Sequence, residues 1–218
     1  MLPLEDTVQT RRPPIVTYGL MGVCFGVFLH EMSLDEGELV RLVETYGAVP
    51  VTALAHPYAL LTSQFFHGGL LHLLGNLWFL RVFGRAVEDT LGHLSFLLFY
   101  LYCGLIAALC HAIVNPHSTI PMIGASGAIS GVLGAYYFLF PEATILSAVF
   151  FGPIMQLVQL PATLFLGLWL IVQSISAMAG TAATGGVAWY AHLGGFLAGL
   201  AVAALFFERR EEKLSAPL

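Results

Sequence analysis

Residues 121–140, PMIGASGAISGVLGAYYFLF, set a serine among small residues at the mouth of an apolar run. Ser126 follows Gly124-Ala125 and precedes Gly127, and Gly131 and Gly134 recur at helical spacing. A hydroxyl in such a place is either a packing device or a nucleophile. The choice turns on whether a base and a holder for an oxyanion exist elsewhere in the chain.

The solvent comes first. The chain has 218 residues, 58% hydrophobic and 10% charged, where a soluble domain carries roughly 25% charged residues. A globule of this size needs more polar surface, so the composition predicts an integral membrane protein in contact with lipid. The net charge of -5 carries little information, because the charges cluster in loops. No basic stripe with interleaved aromatics is present, which excludes nucleic acid as an expected partner. Cys24, Cys103 and Cys110 all lie in apolar runs. An odd count in such places reads as small core or lipid-facing residues rather than a disulfide framework. No small-residue cleavage pattern follows the first apolar run, which reads as a retained anchor.

Outward from Ser126, the expected fold is all-α: a polytopic bundle of six transmembrane helices. Residues 1–14 read as a cytoplasmic N-terminal tail and 15–207 as the membrane domain. The spans fall at 15–30, 68–86, 94–114, about 124–140, about 160–179 and about 187–207, and 208–218 is a cytoplasmic C-terminal tail. Within the first loop, 31–66, residues Ser33 to Tyr46 read as a short surface helix. Ser33 is its expected cap and Glu36 completes a capping box. The run 145–160 is apolar but short, and holds Gly152-Pro153, Gln156 and Gln159. With six spans and the N-terminus inside, Arg11, Arg12, Arg81, Arg85, Arg209, Arg210 and Lys213 are cytoplasmic, and only Arg41 is outside. A crossing at 145–160 would break that bias, so this run is expected at the cytoplasmic interface or as a re-entrant piece.

Polar side chains inside spans are costly and are functional candidates. Alternating spans bring the starts of the second, fourth and sixth to one side. These starts carry His72 and Asn76, then Ser126, then His192. His72 and Asn76 are spaced i, i+4 and share a helix face. His67, five residues before His72, falls on another side and reads as a capping or loop-ordering residue. His192, Gly195 and Gly199 share a face of the sixth helix. Gly195 with Gly199, and Gly127 with Gly131, form small-xxx-small pairs that let helix backbones approach closely. Meeting of those faces brings Ser126 to His192. No carboxylate lies at that depth, so the expected machinery is a dyad with Ser126 as nucleophile and His192 as general base and then acid. The Ser126 backbone N–H, the His72 ring and the Asn76 amide are the expected oxyanion donors.

These residues resemble the rhomboid family of intramembrane serine proteases, over about Leu61 to Gly199. The likeness rests on HGGLLHLLGN from His67 to Asn76, GASG from Gly124 to Gly127, and AHLGG from Ala191 to Gly195. It implies a Ser126–His192 dyad, an oxyanion hole completed by His72 and Asn76, and hydrolysis of other proteins' transmembrane segments near the outer face. It also implies structural support from Glu88 in the turn after the second span, and substrate access between the second and fifth spans. No cofactor and no metal are implied. Two positions depart from patterns found in the family: Tyr58-Ala59 stands for a Trp-Arg pair, and Ser130 stands for a tyrosine stacked on the base.

Expected partners are membrane lipid and transmembrane substrates with Gly, Ala, Ser or Pro near the scissile bond. A helix must open there before its carbonyls can react. The expected location is a bacterial-type inner membrane, with both termini cytoplasmic. The loop 180–186 reads equally as a cap over the site and as a plain connector. The alternative is a non-catalytic relative that binds membrane helices in quality control or trafficking. A metalloprotease lacks support, because the histidines come without a His-Glu-x-x-His pattern. A transporter would need internal repeats that are not evident.

Overall fold

The apolar runs fold as helices because their backbone groups find partners within one segment, which lipid cannot supply. A computed structural model describes residues 1–151, 154–178 and 188–209. In chain order these form β1 (Leu2–Asp6), α1 (Ile15–Ser33), α2 (Glu36–Tyr46), α3 (Ala59–Thr62), α4 (Leu70–Leu91), α5 (His93–Val114), α6 (Ser126–Leu139), β2 (Thr144–Phe151), β3 (Ile154–Pro161), α7 (Ala162–Met178) and α8 (Trp189–Phe206). By length and composition, α1, α5 and α8 are able to cross a membrane, while α6 and α7 are shorter apolar helices. Large apolar side chains stay exposed on these helices, among them Leu98, Ile113, Ile175 and Leu197. Such surfaces fit lipid rather than water.

The middle of the bundle is α6, whose residues from Gly127 to Tyr136 are all buried. Its most extensive partner is α8, and α5 packs across both. Glycine makes this possible. An added Cβ at Gly195 would strike the carbonyl oxygen of Gly127, and one at Gly199 that of Gly131. On the α5 side, an added Cβ at Gly127 would lie 2.6 Å from the Cβ of Ala107, and one at Gly131 would strike Cys103. The three cysteines are free, with Cys24 and Cys103 buried.

The fold is mostly helical, but the all-α expectation needs a correction. Residues 144–151 and 154–161 form the antiparallel strands β2 and β3, paired from Thr144↔Pro161 to Phe151↔Ile154. The run is rich in β-branched and aromatic residues, which suit a pleated surface. In β2, Ile145 and Ser147 alternate inward. Residues 1–14, read as a tail, contribute β1, which pairs antiparallel with β2 to give the order β1-β2-β3. Five residues with no clear alternation carry no strand signal, and β1 is specified by the edge it pairs with. Asp6 then accepts from Tyr136 Oη at 2.8 Å and pairs with Arg85. The sheet thus sits at the Leu139 end of α6, opposite Ser126.

Two smaller expectations are also corrected. The cap of α2 is Asp35, not Ser33, and its capping box closes on Glu38 rather than Glu36. Ser33 is still within α1 and donates to the His30 carbonyl at 2.7 Å. Glu88 lies in the last turn of α4 instead of the following turn. It accepts from the N–H groups of Val16 (2.9 Å) and Thr17 (2.8 Å), the Thr17 hydroxyl (2.6 Å), and His93 Nδ1 (2.6 Å). A carboxylate there closes the positive N-terminal end of α1. The loop 180–186 and residues 210–218 lie outside the described residues.

Candidate active site

Ser126 is the first residue of α6 and follows Ala125, so the leading N–H groups of the helix have no intrahelical partner. The preceding Gly124 has φ +125°, a region costly for any side chain. A Cβ there would come within 2.7 Å of His72 Nε2 and 3.7 Å of Asn76 Nδ2. That glycine lets the two α4 side chains stand beside the backbone leading into Ser126. Its N–H donates to the Ser63 carbonyl at 2.9 Å, and an Ala48–Met122 bridge ties the first loop to the same approach.

The close packing of α6 on α8 sets the next contact. Ser126 Oγ lies 2.8 Å from His192 Nε2, within reach for proton transfer. His192 itself is buried. A cavity of about 330 Å³ opens on the pair, lined also by His72 and Asn76 of α4, Trp169 and Gln173 of α7, and Trp189 of α8. Asn76 is buried, and among the described residues its Nδ2 has no hydrogen-bond partner. All four expected polar residues (His72, Asn76, Ser126 and His192) therefore line one cavity. Among the described residues, no three His, Cys, Asp or Glu side chains are grouped to hold a metal ion.

His67 stands apart from the dyad, with its ring 5.2 Å from that of His72. Its N–H reaches the Glu31 carboxylate at 3.3 Å and its Nδ1 lies 3.2 Å from the Phe65 carbonyl. Burial, with His72 nearby, pushes its pKa down to about 4, which keeps it neutral. It orders the loop entering α4.

Sequence reasoning missed the residues that surround the imidazole. Gln173 Oε1 lies 2.6 Å from His192 Nδ1, and both residues are buried. The indole of Trp169 lies at 6.1 Å with a tilt of 32°, and that of Trp189 stands edge-on at 5.9 Å. Ser130 makes a local bond, donating to the Ser126 carbonyl at 2.7 Å. A usable signal existed. Gln173 is a polar side chain within an apolar span, the criterion that picked out His72, Asn76 and His192.

The sequence is similar to those of known proteins. A family model described as Rhomboid domain matches residues 54–209. Rhomboid protein 1, mitochondrial, of Saccharomyces cerevisiae is 29% identical over 203 residues, covering 86% of this chain and 52% of that protein. Rhomboid protease GluP of Bacillus subtilis is 33% identical over 138 residues, covering 62% of this chain and 26% of that one. Inactive rhomboid protein 1 of Drosophila melanogaster is 33% identical over 113 residues, covering 50% and 8%. The chain spans between 26% and 52% of the length of the first relatives it matches. The match from 54 to 209 takes in His72, Asn76, Ser126 and His192 together with the glycine faces of α6 and α8, and on it this integral membrane protein belongs to the rhomboid family.

Proposed function

We propose that the chain is an intramembrane serine endopeptidase that cleaves transmembrane segments of other membrane proteins through a Ser126–His192 dyad. The observation that carries this reading is the 2.8 Å contact between Ser126 Oγ and His192 Nε2 on the wall of an open cavity. As Ser126 Oγ bonds to the substrate carbonyl carbon, its proton passes to His192 Nε2. The carbonyl oxygen becomes an oxyanion held by the Ser126 N–H, His72 and Asn76. The C–N bond then breaks, the Nε2 proton goes to the leaving amine, and an acyl ester remains on Ser126. Water attacks the ester, giving its proton to His192, which returns it to Ser126 Oγ as the acid product leaves.

Six of the helices, α1 and α4 to α8, serve as spans in this reading. In this reading the sheet end, with both termini, is cytoplasmic and the dyad lies toward the outer face, which the bias of basic residues supports. The 14 residues of α6 extend about 21 Å, short of the roughly 30 Å hydrocarbon layer. Ser126 then lies below the outer surface, on the floor of a cavity that water reaches. Substrate helices approach between α4 and α7, whose side chains flank the cavity, and open at Gly, Ala, Ser or Pro.

The test is cleavage of a transmembrane substrate in liposomes by wild type, Ser126→Ala and His192→Ala, with a fluorophosphonate probe in parallel. Wild type cleaves and is labelled, and both variants fold but do neither. Equal cleavage by Ser126→Ala would overturn the reading, and binding without cleavage by wild type would favour a helix-binding role.

A further inference from the structure

An imidazole that takes a proton from serine must present a bare nitrogen to the hydroxyl. Neutral imidazole carries one N–H and one lone pair, and the tautomer is set by whatever the far nitrogen meets. In His192 the far nitrogen, Nδ1, lies 2.6 Å from the amide oxygen of Gln173. A carbonyl oxygen accepts and does not donate, so Nδ1 carries the hydrogen. Nε2 is then bare and turned toward Ser126 Oγ. Both partners are largely buried, each 7% exposed. One helical turn before Gln173, on the same face of α7, the Trp169 indole flanks the imidazole ring at 6.1 Å, tilted by 32°. Thus α7 supplies what the α6 position Ser130 does not, since the Ser130 hydroxyl is committed to the Ser126 carbonyl.

We propose that Gln173 is a positioning residue for the reaction, fixing the tautomer and orientation of His192 from α7. The inference rests on the proteolytic reading given above. When the Ser126 proton arrives at Nε2, the ring becomes a cation and the Nδ1–H bond to Gln173 becomes charge-assisted, hence shorter and stronger. The gain is larger in the transition state than at rest, so it belongs in kcat. The amide is neutral and its contribution is smaller than that of a triad carboxylate, whose loss costs roughly 10⁴-fold.

The experiment compares wild type, Ser126→Ala, Gln173→Leu, Gln173→Met and Gln173→Glu as full chains in liposomes, with kcat and KM measured separately. In Gln173→Leu and Gln173→Met, kcat falls about 10- to 10³-fold while KM is kept, bounded above by the triad case. Gln173→Glu, which restores an acceptor, returns kcat to within about threefold of wild type. A purely structural role predicts instead that both replacements follow the melting temperature and that the acceptor makes no difference. If Gln173→Leu does not fold, Gln173→Met and Gln173→Glu decide between the two. Wild-type kcat in either apolar variant, a loss confined to KM, or failure of Gln173→Glu to rescue overturns the proposal. A wild type no more active than Ser126→Ala removes the proteolytic reading and this inference together. An active wild type matched by Gln173→Leu removes only this inference.

Discussion

A Cβ at Gly199 would collide with the carbonyl oxygen of Gly131, so the backbones of α8 and α6 are in direct contact at that level. Gly195 and the Gly127 carbonyl repeat the relationship one turn nearer the dyad. Such contact permits two separate helices to bring Ser126 Oγ and His192 Nε2 to 2.8 Å. Even alanine at position 199 forces the helices apart. Misplacement by about 1 Å costs on the order of 10²-fold in rate, and the lost packing lowers stability as well. Gly199→Ala is therefore expected to cut cleavage at least about 10²-fold and to lower the melting temperature. Gly167→Ala is the control, because among the described residues no atom beyond its own helical turn lies within 4 Å of its added Cβ. Substrate cleavage and thermal melting in detergent check both.

Asn76 separates catalysis from stability in the other direction. Its Nδ2 is buried and has no partner among the described residues, and an unsatisfied buried donor is a liability of about 1–3 kcal/mol. Asn76→Leu removes that donor without breaking a bond it makes at rest. The melting temperature should hold or rise, while kcat falls about 10²- to 10³-fold as one oxyanion donor is lost. Steady-state kinetics beside a melting curve reads out both. A variant that melts lower and keeps its kcat would make Asn76 a packing residue.

Much of this site was legible in the sequence because it is carried by local patterns. The spacings of His72 with Asn76 and of His192 with Gly195 and Gly199 are helix-face statements, and the apolar runs fix where the helices fall. Paired glycines on two helices then implied the contact that joins Ser126 to His192. What was missed depends on partners distant in sequence. Gln173 matters because α7 sets it against His192 Nδ1, and its spacing on α7 does not announce that partner. The strand β1 is specified by the edge of β2 rather than by its own five residues. The capping box on α2 was misread by two residues, since α1 runs through Ser33 and leaves Asp35 as the first free cap.

Glu88 gives the complementary case of a buried polar group that acts far from the dyad. It lies at the end of α4 that meets the start of α1, and there it accepts from Val16, Thr17 and His93. Hydrogen bonds to a charged group contribute about 1.5–3 kcal/mol each, without strict additivity. Removing the carboxylate also leaves the first N–H groups of α1 unmatched. Glu88→Ala should destabilise the protein by roughly 2–4 kcal/mol, and Glu88→Gln, which keeps one accepting oxygen, by less. The dyad end of the bundle is untouched by either change, so kcat per active site should stay within about twofold of wild type. Counting active sites by fluorophosphonate labelling before each kinetic run separates loss of folded protein from loss of chemistry. A tenfold fall in kcat per labelled site would instead mean that the α1–α4 contact is coupled to His72 and Asn76 along α4.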